Sequence, residues 1–201
     1  MKDHVRSYKD LPFSAYQFQT KFRNEARAKS GILRGREFLM KDLYSFCRNE
    51  SEHIAFYDRA KDAYRRIFDR TGLGAHTFLT FASGGSFSKF SHEFQTICES
   101  GEDTVYVDGK KKLAINKEVF SPATLSELKL SPADLVERKS VEVGNIFTLG
   151  TRFSEALDLS YLDEQGAKQF VFMGSYGIGP GRLMGTLVEL FGDEKGIVWP
   201  K

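Results

Sequence analysis

Cysteine is scarce in this 201-residue chain: Cys47 and Cys98 are the two it has, and they stand far apart. Neither has a second cysteine or a histidine at metal-ligand spacing, which argues against a zinc site and leaves two buried thiols without a disulfide as the expectation. Histidine is equally thin, with four, and His4, His53, His76 and His92 form no local cluster. No cysteine or histidine nucleophile is indicated, and only His92 lies in a segment that draws suspicion. Long apolar runs are missing too. None reaches the length that spans a bilayer, and Met1-Lys2-Asp3-His4 lacks the apolar region of a signal peptide, so a cytoplasmic protein with no membrane partner is expected. Charge of one sign is also lacking: 29 basic against 27 acidic side chains leave a net +2, too little to argue for nucleic acid by itself. What remains is 41% hydrophobic and 28% charged, the balance of one ordinary domain able to bury a good core.

Periodicity orders the chain. From Tyr16 to Glu25 the side chains alternate, with Tyr16, Phe18, Thr20 and Phe22 on an apolar face and Gln17, Gln19, Lys21, Arg23 and Glu25 on a polar one. Residues 26–33 break the pattern as a mobile loop, and a returning strand is expected over 34–44, where Arg34, Arg36, Phe38, Met40 and Asp42 share a face. Ile54, Tyr57, Ala60, Tyr64, Ile67 and Phe68 recur at helical spacing between a cap at Asn49 or Ser51 and a stop at Gly72. Strands follow over 76–81 and 92–98, with a flexible turn at Gly84-Gly85, and a hairpin turns at Asp108-Gly109. Residues 120–138 read as the least regular stretch, with one short helix. A strand broken at Gly144, a short helix over 151–157, a hairpin turning at 163–166 and a strand over 170–173 complete the approach to a glycine-rich turn and a last helix, over 183–191 and closed by Gly192.

Two segments carry chemistry. The hairpin places a guanidinium, Arg23, near a carboxylate, Glu25, and an aromatic ring, Phe38. Those supply a donor fork for phosphate oxygens, an acceptor for an exocyclic amine and a stacking surface for a base. The same pattern also fits a surface hairpin laced with cross-strand ion pairs. The second segment, Gly174-Ser175-Tyr176-Gly177-Ile178-Gly179-Pro180-Gly181-Arg182, reads as strand, glycine-rich turn and helix with an arginine at the helix start, an anion-binding arrangement. Its glycines are misplaced for a dinucleotide fingerprint and no Lys-Ser or Lys-Thr pair follows for a P-loop, so close packing of helix on strand is the other reading.

Taken together, Phe22-Arg23-Asn24-Glu25, Arg34-x-x-x-Phe38-x-x-x-Asp42 and Gly177-x-Gly179-x-Gly181-Arg182 resemble motifs 2 and 3 of the class II aminoacyl-tRNA synthetases. More narrowly, Gln19 to Arg23, Arg36 to Asp42, Ser91 to Phe94, Gly144 to Phe147 and Met173 to Gly179 resemble the bacterial prolyl-tRNA synthetase family, in order and nearly end to end. The resemblance implies an α+β fold, a mixed and mainly antiparallel sheet flanked by helices. It implies activation of proline by ATP with Mg²⁺ to prolyl-adenylate, transfer to tRNA(Pro), and a homodimeric parent. By motif position Arg23 would hold the α-phosphate and the substrate carboxylate, Glu25 the adenine amine, Phe38 the adenine face and Arg182 the γ-phosphate. Arg23 and Arg182 are then the catalytic pair, and Arg34, Gly179 and Gly181 complete the ATP set. Glu142 is either a magnesium or water-mediated phosphate contact or an exposed strand glutamate. His92, Glu93, Phe94 and Ser175, with Arg23, would line the proline pocket, and Arg27 and Lys29 would touch the tRNA acceptor end. The family's first signature motif, its Thr-x-Glu loop for the proline nitrogen, its large editing insertion and its anticodon-binding domain have no match within residues 1–201, which are therefore expected to be a partial catalytic core. A synthetase-like nucleotide-binding or regulatory module without aminoacylation is the alternative.

Overall fold

Strands make up the larger part of the regular secondary structure, and the computed structural model describes residues 1–26 and 28–200. In chain order the elements are β1 (Phe13–Phe22), β2 (Glu37–Cys47), α1 (Glu50–Arg70), β3 (Thr77–Ser83), β4 (Phe90–Ile97), β5 (Asp103–Asp108) and β6 (Leu113–Asn116). After α2 (Pro122–Glu127) come β7 (Val136–Gly150), α3 (Arg152–Ala156), β8 (Ser160–Leu162), β9 (Lys168–Phe170), β10 (Phe172–Ile178) and α4 (Pro180–Phe191). The main sheet runs β1-β2-β10-β7-β4-β3-β6-β5, and β8 pairs with β9 separately. Every pairing in the sheet is antiparallel except β3 with β6. The fold is therefore a mixed, mainly antiparallel sheet flanked by helices. Among the described residues no helix is long and apolar enough to cross a membrane.

Strand β7 is the organising element. Its first residues pair with β5 while the rest pair with β4 on one side and β10 on the other. The sheet thus curls back on itself at one end, where Phe78, Val105, Val107 and Ala114 pack together. Helices α1 and α4 cover one face. The Asn49 side chain caps α1 by accepting from the Glu52 N–H at 3.0 Å, and Tyr57, Ala60, Tyr64 and Phe68 are buried against Phe94, Val143, Ile146 and Tyr176. Leu183, Leu187 and Phe191 bring α4 to the same core. The opposite face stays open over the middle of the sheet.

Four expectations change. The buried stripe of α1 includes His53, whereas Ile54 is half exposed; Tyr57, Tyr64 and Phe68 fix the buried face, and position 53, four residues before Tyr57, lies on it. The apolar side chains of β1 are not core: β1 is the edge strand, and Tyr16, Phe18 and Phe22 remain 72%, 62% and 76% exposed. Strand β7 is not broken at Gly144 but continues through a bulge beside it, since Phe94 pairs with Gly144 while Gln95 pairs with Glu142. The glycine-rich segment is strand rather than turn as far as Ile178. A Cβ on Gly174 would lie 2.6 Å from both His53 Cε1 and Tyr176 Oη, and one on Gly177 would lie 2.5 Å from Met40 Cε. Close packing is what these two glycines serve.

Candidate active site

The open face carries the chemistry, and strand register decides which side chains reach it. Pairing of Lys21 with Phe38, Gln19 with Met40 and Gln17 with Asp42 puts the polar side of β1 and the Phe38, Met40, Asp42 row of β2 on one face. Gly177 opposite Asp42 and Asn145, and Ser175 opposite Tyr44 and Phe147, extend that face across β10 to β7. Glu93 opposite Asn145 carries it to β4. A cleft opens here between the hairpin and the β10–α4 junction, lined among others by Arg23, Glu25, Arg34, Phe38, Glu142, Asn145, Gly177, Gly179 and Arg182.

At one end the Arg23 N–H donates to Arg36 C=O at 2.8 Å and fixes the hairpin register. The Arg23 guanidinium lies over the Phe38 ring, 5.1 Å from its centroid, a cation–π contact that keeps a cation and a stacking surface side by side. Arg36 Nε donates to the Glu25 carbonyl at 3.0 Å, and Arg34 Nη1 reaches the Glu25 carboxylate at 3.4 Å. At the other end Gly179 caps α4, Pro180 occupies its first turn, and Arg182 projects from that turn into the cleft. Arg182 Nε donates to Leu33 C=O at 3.0 Å, and its Nη1 donates to the Glu142 carbonyl at 3.1 Å and carboxylate at 3.3 Å. The helix N-terminus and this guanidinium both favour an anion. A Cβ on Gly181 would meet open space, and Gly181 does not line the cleft.

Asn145 is a site residue that sequence reading missed. Its Nδ2 donates to Glu142 Oε1 at 2.8 Å. Residues three apart in a regular strand point to opposite faces, and the extra residue in the bulge brings both to the open one. Glu93 accepts from Gln95 and Asn116 at 2.9 and 3.2 Å. Burial, and then the charge of Glu142, push its carboxyl up to about 7.

The structure separates the expected proline-pocket set. Glu93 and Ser175 face the cleft side of the sheet, but His92 and Phe94 alternate to the helix-covered face. Phe94 is buried against Tyr64 and Phe68 at centroid distances of 5.1 and 5.2 Å. His92 Nδ1 shares a hydrogen bond with the Tyr57 hydroxyl at 2.8 Å. Neither can line a pocket on the other face, so both are corrected to supports of the core. Lys29 forms an ion pair with Glu102 at 3.2 Å, and Arg27 lies outside the described residues. Among the described residues no three His, Cys, Asp or Glu side chains form a metal cage.

A mainly antiparallel sheet with helices on one face, and a cleft joining an arginine-bearing hairpin to a helix N-terminus, define a class. The chain belongs to the family described as the tRNA synthetase class II core domain (G, H, P, S and T), whose model matches residues 1–191. Among its relatives, a proline–tRNA ligase of Sulfurimonas denitrificans is 40% identical, covering 100% of this chain and 50% of that protein. One of Rickettsia akari is 38% identical over 99% of this chain and 49% of its own length. The chain spans about half the length of the curated relatives it matches. A prolyl-tRNA synthetase from Cryptosporidium parvum, crystallised with L-proline and AMP, superposes with a TM-score of 0.70 at 20% identity over 99% of this chain and 34% of that one. That likeness is one of fold.

Proposed function

We propose that the protein carrying this chain activates proline with ATP and transfers it to tRNA(Pro), working in the cytoplasm as a homodimer. The observation that carries this is the convergence of hairpin and β10–α4 junction on one cleft, with Arg23 and Phe38 at one end and Arg182 and Glu142 at the other. That layout suits a nucleoside triphosphate laid across the sheet.

In this reading adenine stacks on Phe38 with its amine donating to Glu25. Arg23 neutralises the α-phosphate and draws in the proline carboxylate, while Arg34, Arg182 and the backbone at Gly179 meet the outer phosphates. A carboxylate oxygen of proline attacks the α-phosphorus, the bond to the bridging oxygen breaks, and pyrophosphate leaves with the electron pair. Positioning and charge neutralisation supply the acceleration, with no covalent step on the protein. Glu93 and Ser175 belong to the proline end. Arg27 and Lys29 are the side chains proposed to meet the tRNA acceptor end.

Glu142 would be the group that holds Mg²⁺ shared with phosphates, since nucleotide-bound Mg²⁺ takes only one or two protein carboxylates, and Asn145 Nδ2 holds that carboxylate in place at 2.8 Å. Bound there, Mg²⁺ would neutralise charge on the β- and γ-phosphates. Proline-dependent exchange of pyrophosphate into ATP tests the reading. Exchange with proline and not with other amino acids is expected. Exchange only with another amino acid overturns the substrate, and ATP binding without any exchange favours a non-catalytic nucleotide-binding module.

A further inference from the structure

Glu102 lies outside every motif that the sequence singles out, in the short connection between β4 and β5, yet it reaches across to the hairpin. One of its carboxylate oxygens accepts from Arg34 Nε at 2.7 Å, and the other pairs with Lys29 Nζ at 3.2 Å. Lys29 stands at the start of the hairpin's terminal loop and Arg34 at its end, so one carboxylate ties both limbs. The backbone closes the same loop, with the Lys29 N–H donating to Arg34 C=O at 3.1 Å and Ser30 and Gly31 in the left-handed region at φ 59° and 56°. Glu102 itself stands on a fixed base. The Gly101 N–H donates to Cys98 C=O at 3.0 Å, and a Cβ on Gly101 would lie 2.2 Å from the Ser140 carbonyl oxygen on β7. The anchor is rigid scaffold and the anchored part is loop.

The Arg34 guanidinium divides itself unequally. Its contact with Glu102 is 2.7 Å and its contact with Glu25 is 3.4 Å. A guanidinium held by Glu102 leaves the Glu25 carboxylate with acceptor capacity to spare, and leaves Arg34 with nitrogen donors directed elsewhere. Without Glu102 the arginine would have Glu25 as its remaining carboxylate partner of the pair, and would compete for the group proposed to accept the adenine amine.

We infer that Glu102 is a positioning residue for ATP: it holds the loop closed through Lys29 and keeps the Arg34 guanidinium off Glu25. This rests on the proposed ATP site. An isolated exposed ion pair contributes little to stability, so the effect belongs to nucleotide affinity rather than to folding.

The test is Glu102→Gln in the protein carrying this chain. The Michaelis constant for ATP in proline-dependent exchange should rise about three- to fivefold, the upper part of the range that loss of one partly exposed ionic contact allows, with kcat within about twofold. Amide exchange over residues 29–34 should quicken while the melting temperature holds. Glu102→Asp should recover part of the ATP affinity. An unchanged Michaelis constant for ATP, or a fall in kcat alone, overturns the inference. If Glu102→Gln fails to fold, Lys29→Met removes one limb of the bridge: faster loop exchange with a smaller rise in the ATP constant supports the role, and an unaltered loop refutes it. If the unaltered protein shows no exchange with proline, the functional reading fails and the inference is decided by ATP calorimetry. Weaker binding by Glu102→Gln then sustains it, and equal binding sinks it.

Discussion

Arg23 and Phe38 are coupled through their cation–π contact, so their substitutions should differ in kind without being independent. Arg23→Ala removes the cation proposed to meet the α-phosphate, whose phosphorus becomes five-coordinate in the displacement, and exchange should fall by about two to three orders of magnitude, the usual cost of losing one preorganised charge-stabilising group. Phe38→Ala removes the proposed stacking surface and should weaken ATP by about 1–3 kcal/mol, with a smaller loss in kcat because Arg23 loses its platform. An unchanged ATP constant in Phe38→Ala would count against stacking. The glycines of β10 divide as well. A methyl on Gly174 meets His53, Tyr176 and Ser45, all within 2.9 Å and all packed, so Gly174→Ala should cost about 1–3 kcal/mol in urea unfolding. A methyl on Gly177 meets the flexible end of Met40 first and then Asn145 Oδ1 at 3.0 Å. Gly177→Ala should therefore disturb the cleft, read as weaker ATP binding, more than the fold.

At the scale of elements, the α1–sheet interface sets an acid limit on stability. His53 and His92 are both held down to about 4 by burial, the second helped by Lys61. A histidine whose folded pKa lies below its unfolded value binds more protons when unfolded, so stability is whole above about pH 6.5 and drains as pH falls towards 4. Glu93 acts in the opposite sense. Its carboxyl stands near 7 in the fold, so its contribution improves as pH falls from 7 to about 4.5. Two histidines against one carboxyl leave a net loss on acidification, on the order of 2–4 kcal/mol by pH 4.5. Urea titrations at pH 7.5 and 4.5 should show it, and His53→Gln should flatten the dependence; equal stability at both pH values would refute the burial account. The interface also explains what the sequence let a reader see. The stripe Tyr57, Ala60, Tyr64 and Phe68 was legible because helical periodicity dictates it. The pairing of Glu142 with Asn145 was not, because a bulge overrides strand alternation and bulges leave no reliable mark in sequence. His92 and Phe94 failed for a related reason: a motif position gives proximity to a site, and only register says which face of the sheet a side chain takes.

For the molecule as a whole, the hairpin and the β10–α4 junction are separated by about three quarters of the chain yet meet across one cleft. The sequence could supply each half as a nucleotide-binding possibility, and only the strand order, with β10 inserted between β2 and β7, makes them two ends of one site. A single triphosphate spanning that cleft should therefore act on both segments together. Amide exchange should slow with ATP over residues 23–38 and over 177–183 in parallel. AMP should protect the hairpin, where the adenine and α-phosphate groups are proposed to sit, and leave the β10–α4 junction close to its free rate, because Arg182 is assigned to the γ-phosphate. Both loops are partly pinned beforehand: Arg182 already donates to Leu33 C=O and to Glu142, so the change at the junction is a replacement of internal acceptors by phosphate oxygens rather than an ordering of free chain. The expected signature is modest protection at the junction that follows ATP concentration with the same midpoint as the hairpin. Equal protection of both segments by AMP would remove Arg182 from the γ-phosphate, and different midpoints for ATP would mean two sites instead of one.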